Sequence, residues 1–280
     1  MRPAGLVESP LLRDGHGGFG KRPEETTRPK AGTAPRADFY GGSDNYPVDK
    51  AAGDAYTAVF PGIVTIARSS RAFLGRSIRY LVTEAGVRQF LDVGAGLPTA
   101  DNTHEVAQRL APESRIVYVD NDPLVSAHAR ALLTSTPQGA TAYEDLSLYE
   151  PDKILEAASR TLDLTRPTAL ILSGILGHVA DHDQARDLVR SLLAGLPSGS
   201  HLSLNEGSRG TDPAYEQAQD AYNETGAVPY FLRPVDRIAA FFEGLDLVAP
   251  GIVSVPLWRP EPDDEDPRPI GQHGGLGRKP

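Results

Sequence analysis

The residues best suited to chemistry fall in four short segments, each beginning where an apolar run ends. The first is Asp92-Val93-Gly94-Ala95-Gly96-Leu97-Pro98. Its glycines let the backbone turn sharply and approach a ligand closely, and Asp92 can accept a hydrogen bond from a cationic or hydroxyl-bearing one. The second is Asp120, directly after Val117-Tyr118-Val119, where a carboxylate can take both hydroxyls of a ribose. In the third, Glu144-Asp145-Leu146, a carboxylate beside an apolar residue suits the amino group and the ring of adenine. The fourth, Ser173-Gly174-Ile175-Leu176-Gly177-His178, ends in an imidazole that can move protons near neutral pH. Together the four point to an adenosine-bearing ligand. Each segment also has a plainer reading. An acidic residue after a strand often caps the next helix, and a single His is often just a hydrogen-bonded structural group.

Two other chemistries fit less well. A dinucleotide fingerprint needs a third glycine where Pro98 stands, and proline has no amide to face a pyrophosphate. His182 lies four residues after His178, but no third ligand follows at a recognisable spacing, so no metal site is expected. The aromatic set Phe39, Tyr40, Tyr46, Tyr230 and Phe231 reads as a lid or as core.

The elements that must position these segments alternate. Helical patterns at Val48–Phe60 and Ile63–Glu84 come first, separated by Pro61-Gly62. Then short apolar runs at 89–93, 116–119, 140–143, 169–172 and 201–204 alternate with helical stretches at 102–110, 123–133, 153–159 and 183–193. Such alternation predicts a doubly wound α/β fold with a mostly parallel sheet covered on both faces, and its ligands sit at the carboxyl ends of the strands. After helical stretches at 213–224 and 235–242, the runs 245–248 and 252–255 flank Pro250-Gly251 and read as an antiparallel hairpin. Residues 1–36 and 259–280 are rich in Gly, Pro and charge and read as disordered tails. That leaves an amino-terminal helical lid at 37–86 and a ligand-binding domain at 87–258.

Composition narrows the function classes. The 280 residues contain no cysteine, which excludes disulfides, thiolate metal sites and a cysteine nucleophile. A net charge of −9 without a basic cluster argues against nucleic acid as a partner. No apolar run is long enough to cross a bilayer and no signal peptide is recognisable, so a cytoplasmic protein without a membrane partner is expected. The sequence leaves the oligomeric state open.

The segments Phe90 to Gln108 and Val117 to Pro123 resemble an actinobacterial S-adenosylmethionine-dependent methyltransferase-like family, domain of unknown function 574 (DUF574). So do Gly41-Gly42-Ser43-Asp44-Asn45-Tyr46, Arg71-Ala72-Phe73-Leu74-Gly75-Arg76, Arg79-Tyr80-Leu81 and the stretch from Phe241 to Pro260. The resemblance covers about residues 36 to 260. It implies a class I methyltransferase fold: a Rossmann-like, seven-stranded, mostly parallel sheet with an antiparallel last strand, binding S-adenosylmethionine and releasing S-adenosylhomocysteine. By position, Gly94 and Gly96 would approach the methionine part, Asp120 the ribose and Asn121 the adenine, with Asp145 and Leu146 on the adenine edge and face. Asp92, Ser173, Asp44, Asn45 and Arg71 complete the expected cofactor-binding set, and a ligand without pyrophosphate explains Pro98. Ser43 stands where the family usually has Lys, and Ser70 where it has Asn. Ile175-Leu176-Gly177-His178 departs from the family's strand-four pattern, which implies a different substrate face.

The expected reaction is methylation of an oxygen or nitrogen on a small molecule, with His178 as base and Tyr40 in the lid. Two alternatives remain open at this level: a non-methylating use of the sulfonium in natural-product biosynthesis, and a non-catalytic S-adenosylmethionine sensor. Arg68, Arg71 and Arg233 are candidate holders of an anionic acceptor.

Overall fold

A computed structural model describes residues 47–96, 101–123, 125, 134–225, 227–262 and 267–280. The described elements are α1 (Pro47–Val59), α2 (Gly62–Thr83), β1 (Gln89–Val93), α3 (Thr103–Leu110), β2 (Arg115–Val119), β3 (Ala140–Glu144), α4 (Pro151–Ala158) and β4 (Ala169–Ser173). A 3-10 turn at Leu176–His178 follows. Then come α5 (His182–Ala194), β5 (His201–Arg209), α6 (Pro213–Asn223), β6 (Arg233–Pro234), α7 (Val235–Ala239), β7 (Asp246–Leu247), β8 (Val253–Ser254) and β9 (Gln272–Arg278). Most of the helix expected at 123–133 lies outside the described residues.

The sheet runs β3-β2-β1-β4-β5-β9-β7, with β6 joined to β5 and β8 to β9. From β3 to β5 every pairing is parallel, whereas β9 is antiparallel to β5. This is the expected doubly wound α/β sheet with an antiparallel last strand. Because a strand's side chains alternate between faces, each apolar run feeds two cores. Phe90, Ile116 and Ile171 join Phe73, Ile78, Leu81 and Trp258 on one face. Leu91, Val117 and Leu170 join Leu188, Val189, Leu192 and Phe242 on the other. The α2 stripe of Phe73, Ile78 and Leu81 is fully buried. That part of the expected lid is therefore sheet-covering core, and residues 37–46 lie outside the described residues.

Two sequence expectations are corrected here. Residues 272–278 are not a disordered tail but β9, an interior strand pairing with β5 from His201↔Arg278 to Gly207↔Gln272. Its poverty in apolar side chains reflects lack of room. A Cβ on Gly274 would lie 2.4 Å from the Leu204 carbonyl oxygen, one on Gly275 2.8 Å from that of Gly251, and one on Gly277 2.9 Å from Leu245 Cβ. The one large apolar residue of the strand, Leu276, is fully buried.

The runs around Pro250-Gly251 do not pair with each other as a hairpin. Both pair antiparallel with β9, Asp246↔Arg278 and Leu247↔Gly277 in β7, Val253↔Gly274 and Ser254↔His273 in β8. They are consecutive pieces of one edge, and the chain between them loops out as a bulge. The Gly251 N–H closes that loop on the Val248 carbonyl at 2.9 Å, in a left-handed conformation (φ +90°) that glycine permits.

Candidate functional site

The parallel strands bring the four polar segments to one edge of the sheet. At the end of β1 the chain turns through Gly94, at φ +78°, and Gly96, at φ +66°. The Gly94 N–H donates to the Val119 carbonyl at 2.8 Å, which ties this turn to the end of β2. A Cβ on Gly94 would fall 2.5 Å from Ile175 Cγ1, so the turn also lies flush against the segment after β4.

Asp120 sits at the centre of this arrangement. Its Oδ2 accepts the Gly96 N–H at 2.8 Å and its Oδ1 the Asp122 N–H at 3.0 Å. Its own amide donates to the Glu144 carbonyl at 3.2 Å, and Tyr143 donates its hydroxyl to the Asp120 carbonyl at 2.8 Å, so β3 holds its backbone in place. Burial raises its pKa, while the amides of Gly96, Asp122 and Asn121 pull it down. Asn121 and Asp145 are exposed beside it, and half-buried Leu146 packs on the core.

Asp92 is 6% exposed and accepts the Thr103 hydroxyl at 2.6 Å. Burial pushes its pKa up to about 6, against the Thr103 bond and the positive charge of Arg71. Arg71 reaches over from α2 and donates to the Asn102 Oδ1 at 3.2 Å, at the start of α3.

The ends of β4 and β5 are built differently. Half-buried Ser173 accepts a hydrogen bond from the Asn205 side-chain amide at 2.9 Å. The Asn205 Oδ1 accepts from the Ser70 hydroxyl at 2.7 Å and from the Gln272 amide at 2.6 Å. Half-buried His178 ends the 3-10 turn. Its Nδ1 lies 2.9 Å from the Pro229 carbonyl, and its ring meets Tyr230 edge-on, with centroids 5.2 Å apart. A carbonyl only accepts, so Nδ1 carries the hydrogen and the neutral ring keeps its lone pair on Nε2.

Glu206 supports this turn from below: it accepts the Leu176 N–H at 2.7 Å, the Gly177 N–H at 3.0 Å and the Tyr230 hydroxyl at 2.5 Å. Arg233 donates to the Leu176 carbonyl at 2.8 Å and to that of Val179. Its guanidinium serves the turn, which corrects its reading as a holder of an anionic acceptor.

The structure thus gathers Asp92, Gly94, Gly96, Asp120, Asn121, Asp145, Leu146, Ser173, Arg71 and His178 along the carboxyl ends of the strands. Tyr40, Asp44 and Asn45 lie outside the described residues, as do Leu97 and Pro98. Asn205 and Glu206 are additions. Sequence reasoning ended the fifth strand at Leu204, yet a polar pair directly after an apolar run is the same signal that marked Asp120. Among the described residues, no group of three His, Asp or Glu could hold a metal ion, and no helix is long and apolar enough to cross a membrane.

Residues 23–280 match the family model described as S-adenosyl methyltransferase. The chain belongs to this methyltransferase family. A DUF574 family protein from Streptomyces avermitilis is 43% identical, covers 88% of this chain and 96% of its own, and superposes with a TM-score of 0.81. A candidate methyltransferase from Thermobifida fusca is 34% identical, covers 91% of this chain and 96% of its own, and superposes with a TM-score of 0.80. Mitomycin 7-O-methyltransferase, at 14% identity and a TM-score of 0.50, shares the fold. No curated protein matches the chain. The family makes this chain an S-adenosylmethionine-dependent methyltransferase, whose spent cofactor is S-adenosylhomocysteine. The match extends through β9, consistent with the carboxyl-terminal strand as an integral part of the family's fold.

Proposed function

We propose that this methyltransferase acts on an oxygen or nitrogen of a small molecule, with His178 as the general base. The observation that carries the reading is the Nδ1 bond to the Pro229 carbonyl, which selects the Nδ1–H tautomer and makes Nε2 the basic nitrogen of the neutral ring.

The residues at the ends of β1 to β3 fit S-adenosylmethionine. Asp120 has three amide donors for its roughly four lone-pair positions, which leaves an acceptor for a ribose hydroxyl. Gly94 lines a turn with no room for a side chain. In this reading Gly94 and Gly96 face the methionine part, supported by Asp92 and Arg71. Asn121, Asp145 and Leu146 enclose the adenine, and Ser173 lies toward the reacting end. Asp44, Asn45 and Tyr40 are assigned to the site through the family resemblance alone.

The cofactor supplies an electrophilic methyl group on a sulfonium. Bound there, it would pass that methyl to an oxygen or nitrogen of the acceptor, and His178 Nε2 would take the acceptor's proton. The chain's main contribution is orientation in a dry site, which can account for much of the barrier lowering.

Calorimetric titration with S-adenosylmethionine and S-adenosylhomocysteine tests the cofactor assignment. Asp120→Ala is expected to weaken both by about tenfold or more, and unchanged affinity would refute the ribose role. An acceptor screen read by S-adenosylhomocysteine release and by the mass of one added methyl then tests the reaction. His178→Ala should abolish that turnover while leaving cofactor affinity intact.

A further inference from the structure

Two buried charged side chains are committed to one short turn. Glu206 is 1% exposed and Arg233 4% exposed, and burying charge is costly unless hydrogen bonds replace the lost water. Glu206 grips the turn from its amide side, at Leu176 and Gly177. Arg233 grips it from its carbonyl side, at Leu176 and Val179. A three-residue 3-10 turn does not need such an apparatus merely to form.

The same Glu206 carboxylate also holds Tyr230, whose hydroxyl donates to it at 2.5 Å while accepting the Gly207 N–H at 2.9 Å. Tyr230 follows Pro229, the residue whose carbonyl receives His178 Nδ1–H. Asn223 brackets the Tyr230 backbone, donating to its carbonyl at 3.0 Å and accepting its N–H at 2.9 Å. The Phe231 N–H closes the pair of segments on the Gly177 carbonyl at 2.7 Å. One carboxylate therefore connects the backbone that carries the imidazole to the segment that accepts its hydrogen.

The geometry points to Glu206 and Arg233 as positioning residues that hold His178 with its lone pair on Nε2. This rests on the reading of His178 as the base. Both side chains are buried. Each acts through the turn, and Tyr230 transmits the constraint to the ring.

Long-range nitrogen–proton correlation spectra of the full-length, 15N-labelled protein read the tautomer directly, with the His178 signals assigned by their loss in His178→Gln. In the parent protein His178 is expected as the Nδ1–H tautomer. Glu206→Gln replaces one acceptor of the turn with a donor and should give a mixed ring in which Nε2–H dominates, as in free imidazole. Arg233→Lys should shift it the same way, because a point charge cannot span two carbonyls. Tyr230→Phe deletes a single hydroxyl and serves if Glu206→Gln does not fold. S-adenosylhomocysteine affinity should stay within about threefold throughout, which shows an intact cofactor half.

An unchanged His178 tautomer in both Glu206→Gln and Tyr230→Phe, with turnover lost in His178→Gln, would overturn this inference and leave the base reading standing. Full turnover in His178→Gln would overturn the base reading itself, and the tautomer shift would then describe a ring without a part in the transfer.

Discussion

The two halves of the sheet meet the ligand edge by different means. On the β3-β2-β1 side the site is made of backbone turns and amides: Gly94 and Gly96 bend, and Asp120 collects the N–H groups of Gly96 and Asp122. On the β4-β5-β9 side it is made of buried side chains that reach across the fold, Asn205 to Ser70, Ser173 and Gln272, and Glu206 to the His178 turn and Tyr230. A site for a ligand common to a family can be built from local backbone geometry. In the proposed reading, the second half aims His178 through long-range contacts instead. The segment Ile175-Leu176-Gly177-His178 falls in the second half.

The largest effect should come from breaking that second half. Deleting residues 272–280 removes a strand paired on both edges, with β5 on one and β7 and β8 on the other. The truncated chain should show no cooperative thermal transition by circular dichroism. A melt close to that of the full chain would mean that β9 is dispensable and that the comparison is drawn in the wrong place.

Gly94→Ala tests the first half at its tightest point. The substitution puts a Cβ at φ +78° and 2.5 Å from Ile175, and the strain and overpacking together should cost about 2–4 kcal/mol by urea denaturation. Cofactor affinity should fall in parallel, because the turn that moves is the one tied to Val119 and Asp120. Because Ile175 opens the segment that ends in His178 and accepts the His178 N–H, the substitution also presses on the second half.

Asp92 gives a smaller, pH-dependent effect. Burial raises its carboxyl from 3.8 to about 6 in the folded protein, so the stability it contributes is fully present below about pH 4 and is lost as pH rises through 6. The loss amounts to about 3 kcal/mol in all, roughly half of it between pH 5 and pH 8. Asp92→Asn removes the ionisation and can still accept from Thr103, so its stability advantage over the parent should widen by about 1–2 kcal/mol from pH 5 to pH 8. An advantage that narrows with pH would mean that Arg71 outweighs burial at this site.

The alternation of strands and helices was legible because each element repeats its own apolar period. The turn at Gly94 and Gly96 and the carboxylate of Asp120 were legible because their positions relative to the strands carry the signal. Glu206 was not, since its partners at Leu176, Gly177 and Tyr230 lie 30, 29 and 24 residues away. Arg233 looked like any cation that could meet an anion until its guanidinium was seen on two carbonyls.

Residue order settles what depends on neighbours along the chain and on the conformations a residue type permits. That includes the α/β class, the glycine turn, the acidic strand ends and, through their resemblance, the S-adenosylmethionine family. Folding in three dimensions alone decided that 272–278 is an interior strand, that the two runs around Pro250-Gly251 are one bulged edge, and that a buried carboxylate holds the turn that ends in His178. The physical reason is plainest for the first. A glycine-rich segment has the same composition whether it is solvated or pressed against a neighbour's carbonyl, and only the packed sheet distinguishes the two.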